Sequence, residues 1–178
     1  MLKQFVQGAL SKRRKRRLQA QSPTEVFSNI YGGNKWGGKE SRSGKGSDLD
    51  ATRNLIRDVP DLCRRYGVFS MLDAPCGDFN WMQHADLAGI DYVGADIVPE
   101  LVAANQKAYS TNGIRFEVCD LIKGPVPYAE LVHTRDCLVH LSEEHVLSAL
   151  ENIKASGAKY LLSTTFPDVE ENAEILTG

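Results

Sequence analysis

Residues 69–82 read FSMLDAPCGDFNWM. Phe69-Ser70-Met71-Leu72 is a short apolar run of the kind that forms a buried strand, and it ends on an acid, Asp73. A tight turn of small residues, Ala74-Pro75-Cys76-Gly77-Asp78, follows, and Phe79 to Met82 are expected to open a helix. A strand ending on a carboxylate, a small-residue turn and a helix start together hold a charged, hydroxyl-rich ligand. The turn lets the backbone come close, and the helix N-terminus presents free N–H groups.

The next segments repeat that logic. Tyr92-Val93-Gly94-Ala95-Asp96 is a second strand ending on an acid, with Asp96 19 residues after Gly77. Ile114 to Asp120 is a third. In open α/β sheets ligands sit outside the carboxyl ends of the strands, so Asp73, Asp96 and Asp120 are expected along one edge of the sheet. One acid at a strand end is commonplace, but three in register point to a site.

These strings resemble the class I S-adenosylmethionine-dependent methyltransferases. Leu72 to Asp78 is similar to the first motif of that family, Gly94-Ala95-Asp96-Ile97 to the second, and Cys119-Asp120-Leu121 to the third. DAPCGDFNWM, GADIVPEL and RDCLVHLS together resemble one subfamily, mostly of unassigned substrate, from about Trp36 onward. Pro75 and Phe79 stand where many members have glycine, so the turn is expected to be shaped differently. The resemblance implies a Rossmann-like three-layer α/β sandwich with a mainly parallel sheet. It implies S-adenosyl-L-methionine as cofactor and methyl transfer as activity; a small-molecule acceptor is expected by elimination, since the chain offers no base-methylation motif and no RNA-binding extension.

Composition fits that class. The chain has 178 residues, 42% hydrophobic and 25% charged, as expected of one ordinary globular domain. No apolar run approaches a membrane span. Cys63, Cys76, Cys119 and Cys137 show no paired spacing and read as reduced thiols of a cytoplasmic protein. His133, Cys137, His140 and His145 have no recognised ligand spacing, so they read as ordinary strand-end and helix residues, and no metal is expected. The net charge of −2 hides an asymmetry: residues 1–22 carry seven basic side chains and no acid, the remainder 14 basic and 23 acidic. So acidic a body is poorly suited to nucleic acid, whose binders draw much of their affinity from phosphate contacts.

Three regions follow: a basic tail over 1–22, N-terminal helices and a glycine-rich segment over 23–67, and a cofactor-binding core over 68–178. In the tail, Leu2, Phe5, Val6, Ala9 and Leu10 fall at helical spacing before a basic block, Lys12 to Arg17. It reads either as a solvated arm or as a contact for an anionic membrane through residues 2–17. Ser22-Pro23 starts a helix that runs to about Tyr31. The glycine-rich stretch to Ser47 contains Trp36, Glu40, Arg42 and Ser43, unlike a plain linker. It is expected either to close over the ligand, with Trp36 stacking and Arg42 binding a carboxylate, or to be a surface loop pinned by Trp36. Asp48 to Arg65 form the next helix, which Pro60 is expected to kink or split. Further helices are expected from Val98 to about Ser110 and from Ser142 to Ala155. Further strands are expected over Glu130–Thr134 and Lys159–Phe166.

Asp96 is the sharpest site assignment. An ionised carboxylate only accepts hydrogen bonds, so its two oxygens suit the two ribose hydroxyls of a nucleoside. Ile97 would press on the adenine. The resemblance implies that Asp120 accepts from the adenine amino group, with Leu121 as the backbone donor beside it and Cys119 before it. It also implies that Asp73 orients the turn formed by Ala74, Pro75, Cys76, Gly77 and Asp78 and helps hold the cofactor's ammonium. Arg135 follows the fourth strand, where the methionine end would lie. Asp136 and His140 are the candidates for acceptor contact or proton removal, and Trp81 joins Trp36 and Arg42 on the acceptor side. Two other functions remain open: a non-catalytic Rossmann-like binding module, and a nicotinamide-dependent oxidoreductase. The second would need G-x-G-x-x-G straight after the first strand, where this turn offers only Gly77.

The resemblance also implies two further C-terminal strands. Twelve residues follow Phe166, too few for them. The expectation is therefore a truncated sheet whose fifth strand is an exposed edge, or an edge covered by a partner chain.

Overall fold

The computed structural model describes residues 20–169, 173 and 175–178, so the tail segment Leu2–Arg17 lies outside the described residues. Helix α1 spans Pro23–Gly32 and is closed at its start by a capping box. Ser22 Oγ accepts from the Glu25 amide at 3.3 Å, and Glu25 Oε2 accepts from the Ser22 amide at 2.7 Å. Helix α2, Leu49–Tyr66, ends on Gly67 in the left-handed region. Its first amide, Leu49, donates to Glu40 Oε2 at 2.9 Å, while Asp48 makes no side-chain cap bond. Of the kink or split expected at Pro60, the split does not occur: α2 runs through it. Its ring is buried beside Val59 and Cys63 on the core-facing side, and that packing carries the helix through the missing N–H.

The sheet has five parallel strands: β1 Ser70–Asp73, β2 Asp91–Asp96, β3 Ile114–Val118, β4 Leu131–Thr134 and β5 Tyr160–Ser163. Their order is β3-β2-β1-β4-β5. Helix α3, Pro99–Tyr109, crosses from β2 to β3, and α4, Glu143–Ala155, from β4 to β5. Alternation along each strand divides the core in two. Met71, Tyr92 and Leu131 face α2 and α3, with Val59, Cys63, Leu101 and Val102. Leu72, Val93 and Val132 face α4, with Ala149 and Ile153. This is the three-layer Rossmann-like architecture expected. Residues 23–67 contribute to the same core as the sheet, through Val59 and Cys63.

The helix expected from Phe79 does not form. Ala74 to Trp81 run through consecutive turns, and only a single 3-10 turn, Met82–His84, precedes β2. Phe79 is left-handed, with φ 58°. Its ring lies 5.1–5.3 Å from those of Phe116, Tyr109 and Tyr92 and is 2% exposed. Burying a phenylalanine is worth about 1.5–3 kcal/mol, against roughly 1–2 kcal/mol for a left-handed residue. Aromatic packing therefore wins over helix. As a consequence, the ligand-side N–H groups come from a turn and not from a helix end.

β3 ends at Val118, so Asp120 lies two residues beyond the strand, and β5 ends at Ser163, short of Phe166. Within the described residues β5 is one edge of the sheet, with Tyr160 and Leu161 exposed. No helix among the described residues is long and apolar enough to cross a membrane.

Candidate functional site

A cavity of about 500 Å³ opens at the carboxyl ends of β3, β2, β1 and β4. That volume falls within the range of small-molecule sites. Fifteen of the residues singled out in the sequence line it: Trp36, Asp73 to Gly77, Trp81, Asp96, Ile97, Cys119, Asp120, Leu121, Arg135, Asp136 and His140.

The turn after β1 is held from both sides. The Ala74 amide donates to the His133 carbonyl at 2.9 Å and the Cys76 amide to the Ala95 carbonyl at 2.8 Å. Asn105 on α3 donates to the Gly77 carbonyl at 2.8 Å. Gly77 has φ 56°, and a Cβ there would sit 2.2 Å from Ser43 Oγ, so both conformation and space require glycine.

Asp96 is 7% exposed. Its Oδ1 accepts from the Val98 amide at 3.0 Å and its Oδ2 from the Gly77 amide at 3.2 Å. Burial pushes its carboxyl up to about 6, against the opposing pull of the Val98, Gly77 and Ile97 amides. Asp120 is oriented similarly: its Oδ1 accepts from the amides of Ile122 at 3.0 Å and Lys123 at 3.3 Å. Its Oδ2 is buried without a hydrogen-bond partner, 3.6 Å from Lys123 Nζ. The ion pair with Lys123 offsets part of the cost of burying that oxygen.

Asp73 lines the cavity, and its carboxylate is bonded to two side chains. Tyr92 Oη donates to its Oδ2 at 2.7 Å, and His133 Nδ1 lies 2.7 Å from its Oδ1. All three side chains are buried, and both carboxylate oxygens have protein partners. His133, read as an ordinary strand residue, is therefore part of the site. Its only sequence signal is a polar residue inside an apolar strand, in register with Asp73.

The glycine-rich segment forms one wall. Asp78 does not line the cavity; it clasps that wall instead. Its Oδ1 accepts from Ser41 Oγ at 2.8 Å and Ser43 Oγ at 3.3 Å, and its Oδ2 from the Arg42 amide at 2.7 Å. Arg42 does not reach the cavity either; its guanidinium lies over the Tyr31 ring, 5.5 Å from the centroid. Arg135 Nη2 donates to the Gly46 carbonyl at 3.0 Å and pairs with Asp136 Oδ2 at 3.0 Å. Trp36 stacks on His140 with ring centroids 5.4 Å apart, and Phe27 lies beyond it at 6.3 Å. Phe27, Tyr31, Val139 and Phe166 make this end of the cavity apolar.

Asp136 has φ 49°, a conformation that Asp tolerates better than most residues, and its amide donates to Thr164 Oγ1 at 3.0 Å. Burial lowers the pKa of His140, partly offset by Asp136. Burial also pushes the Cys119 thiol up to about 11 and the Cys137 thiol to about 12, and raises Cys76 well above its usual value. These thiols stay protonated at neutral pH, which removes thiolate chemistry from the site. Among the described residues no group of three His, Cys, Asp or Glu side chains could hold a metal ion.

No family model matches the chain, and no curated protein matches it. Among solved structures, the magnesium protoporphyrin IX methyltransferase of Synechocystis PCC 6803, with bound SAH, is 19% identical, with a TM-score of 0.48 over 66% of this chain and 53% of that one. A DhpI–SAM–HEP complex is 19% identical, with a TM-score of 0.46 over 61% and 50%. Human N-acetylserotonin methyltransferase in complex with SAM is 24% identical, with a TM-score of 0.44 over 50% and 26%. The matched part of this chain thus spans between 26% and 53% of the length of those three proteins.

Proposed function

We propose that this chain binds S-adenosylmethionine and directs its methyl group to a small-molecule acceptor. The observation that carries the proposal is the pair of backbone-oriented carboxylates, Asp96 and Asp120, that line the cavity beside adjacent strand ends. An adenine amino group is a donor of the kind a carboxylate accepts. Asp96, fixed by two backbone amides, keeps lone pairs for the ribose hydroxyls. Ile97 and Leu121 supply apolar surface for the base. The residues present therefore fit the cofactor, which when bound supplies an electrophilic methyl group on a sulfonium.

The chain's own residues do the rest. Trp36, Phe27 and Phe166 give the acceptor end an apolar lining, and the Asp78 clasp holds the glycine-rich wall in place. Alignment in a dry pocket is a large part of what such a transfer needs. Asp136 and His140 stand at this end as the candidate acceptor contacts. Because burial favours the neutral ring, His140 can take a proton from a hydroxyl or amine near pH 7. The acidic body and the cavity size favour a small acceptor over nucleic acid. Residues 1–22 are assigned as an arm separate from this site, and the cytoplasm as its compartment.

A thermal-shift comparison tests the proposal. S-adenosylhomocysteine is expected to raise the melting temperature of the full chain in a saturable way, and NAD+ to leave it unchanged. Stabilisation by NAD+, or by neither ligand, would contradict the proposal.

A further inference from the structure

The wall that carries His140 is short and irregular. A single 3-10 turn, Leu138–His140, follows β4, and only Leu141 separates it from Ser142, the residue that opens α4. His140 and Leu141 line the cavity, and Ser142 makes no side-chain cap bond. This stretch is held from behind by residues 177 and 178. The Gly178 amide donates to the His140 carbonyl at 2.9 Å, and the Ser142 amide donates to Thr177 Oγ1 at 3.0 Å. The two bonds fall on either side of Leu141. His145, in the first turn of α4, brings Nδ1 to 2.6 Å from the same hydroxyl oxygen, and Thr177 is buried. Just before it, Ile175 and Leu176 share a groove with Pro23 and Val26 of α1, the helix whose Phe27 backs Trp36.

We infer that residues 175–178 form a strap that positions the His140 wall of the cavity, with Thr177 as its positioning residue. Reading that wall as the acceptor end rests on the methyltransferase proposal above; the strap itself does not. Thr177 is not among the residues that line the cavity, so it acts through His140 and Leu141. Trp36 stacks on the His140 ring while the strap fixes the His140 backbone, so the place of the ring depends on both. Releasing the strap leaves the Ser142 amide and the buried hydroxyl without their partners, a cost that keeps it seated.

Amide exchange in the wild-type chain reads the strap first. The Ser142 and Gly178 amides are expected to be protected at least about tenfold, and exchange at the unprotected rate overturns the assignment even if every variant folds poorly. Thr177→Val keeps the shape and removes the hydroxyl, and Thr177→Ser keeps the hydroxyl. In Thr177→Val both amides should exchange roughly tenfold faster, the loss of one buried hydrogen bond. Burial holds His140 below its ordinary pKa, partly offset by Asp136. An NMR titration of the His140 ring should therefore move up toward the ordinary value in Thr177→Val and stay at the wild-type value in Thr177→Ser. An unmoved titration in Thr177→Val, or an equal movement in Thr177→Ser, overturns the positioning role. Calorimetric affinity for S-adenosylhomocysteine should stay within about twofold of wild type in both variants. A loss of about tenfold in Thr177→Val would mean that the strap supports the whole site, and overturns its assignment to this wall. Wild-type protein that binds no S-adenosylhomocysteine refutes the cofactor proposal alone, and the exchange and titration results still decide the strap.

Discussion

Replacing Asp78 with alanine should free one wall of the cavity without touching its floor. The carboxylate accepts three hydrogen bonds from the Ser41–Ser43 stretch, at 2.7, 2.8 and 3.3 Å, and these join the glycine-rich segment to the turn after β1 alongside the Asp78 amide bond to Ser43 Oγ and the Asn80 side-chain bond to the Ser47 carbonyl, both at 3.0 Å. Bonds to an ionised group are worth about 1.5–3 kcal/mol each when dry, but these are partly solvated, and about 1 kcal/mol each is the better figure. The total of about 3 kcal/mol corresponds to roughly a hundredfold change in the opening equilibrium of the segment. Native-state hydrogen exchange reads that directly. The Ser47 amide, bonded to the Gly44 carbonyl at 2.9 Å, should exchange about a hundredfold faster in Asp78→Ala. The amides of Met71 and Leu72, in the centre of the sheet, should be unaffected. Unchanged exchange at Ser47 would refute the clasp. So would equal acceleration in β1, which would mean that Asp78 supports the whole fold.

Two further predictions concern the turn and its acid. Gly77→Ala should cost stability twice, through its left-handed backbone and through the 2.2 Å contact with Ser43 Oγ. Ser43→Gly removes that contact together with the Ser43 Oγ bonds to Asp78, so Gly77→Ala introduced into the Ser43→Gly background should cost only the roughly 1 kcal/mol of backbone, as denaturant titration of the single and double variants can show. Asp96 should make the fold lose stability as pH rises. Its folded pKa of about 6 exceeds the unfolded value of 3.8, so between those values the folded state holds a proton that the unfolded chain has released. The slope is therefore negative from about pH 4 to 6 and totals about 3 kcal/mol. Comparing the pH dependence of unfolding for wild type and Asp96→Asn checks this: the slope should flatten in the variant.

The order of elements was legible because four of the five strands end on an acid or polar residue, a pattern that depends only on neighbours in the chain. That Asp96, Asp120 and Gly77 come together at the carboxyl edge of the sheet was legible for the same reason. What escaped depends on contacts far apart in sequence. Phe79 looked like a helix start, but its partners Tyr92, Tyr109 and Phe116 lie 13 to 37 residues away, and their packing sets its backbone. Asp78 looked like a ligand residue because its neighbours are; its partners Ser41 and Ser43 lie 37 and 35 residues earlier. Pairing of His133 with Asp73 follows only from β4 lying beside β1, a consequence of sheet order that no local pattern contains. Arg42 was expected at the ligand on charge alone, but the fold turns its side chain onto Tyr31.

Asp96 and its neighbours are proposed to form a nucleoside site for S-adenosylmethionine. Calorimetric titration of S-adenosylhomocysteine into wild-type protein and into Asp96→Ala tests it most directly. The account predicts one site per chain in the wild type and roughly ten- to a hundredfold weaker binding in the variant, from the loss of hydrogen bonds worth about 1.5–3 kcal/mol. Circular dichroism should confirm that the variant is folded. No binding by the wild type, or equal affinity in a folded Asp96→Ala, would contradict it.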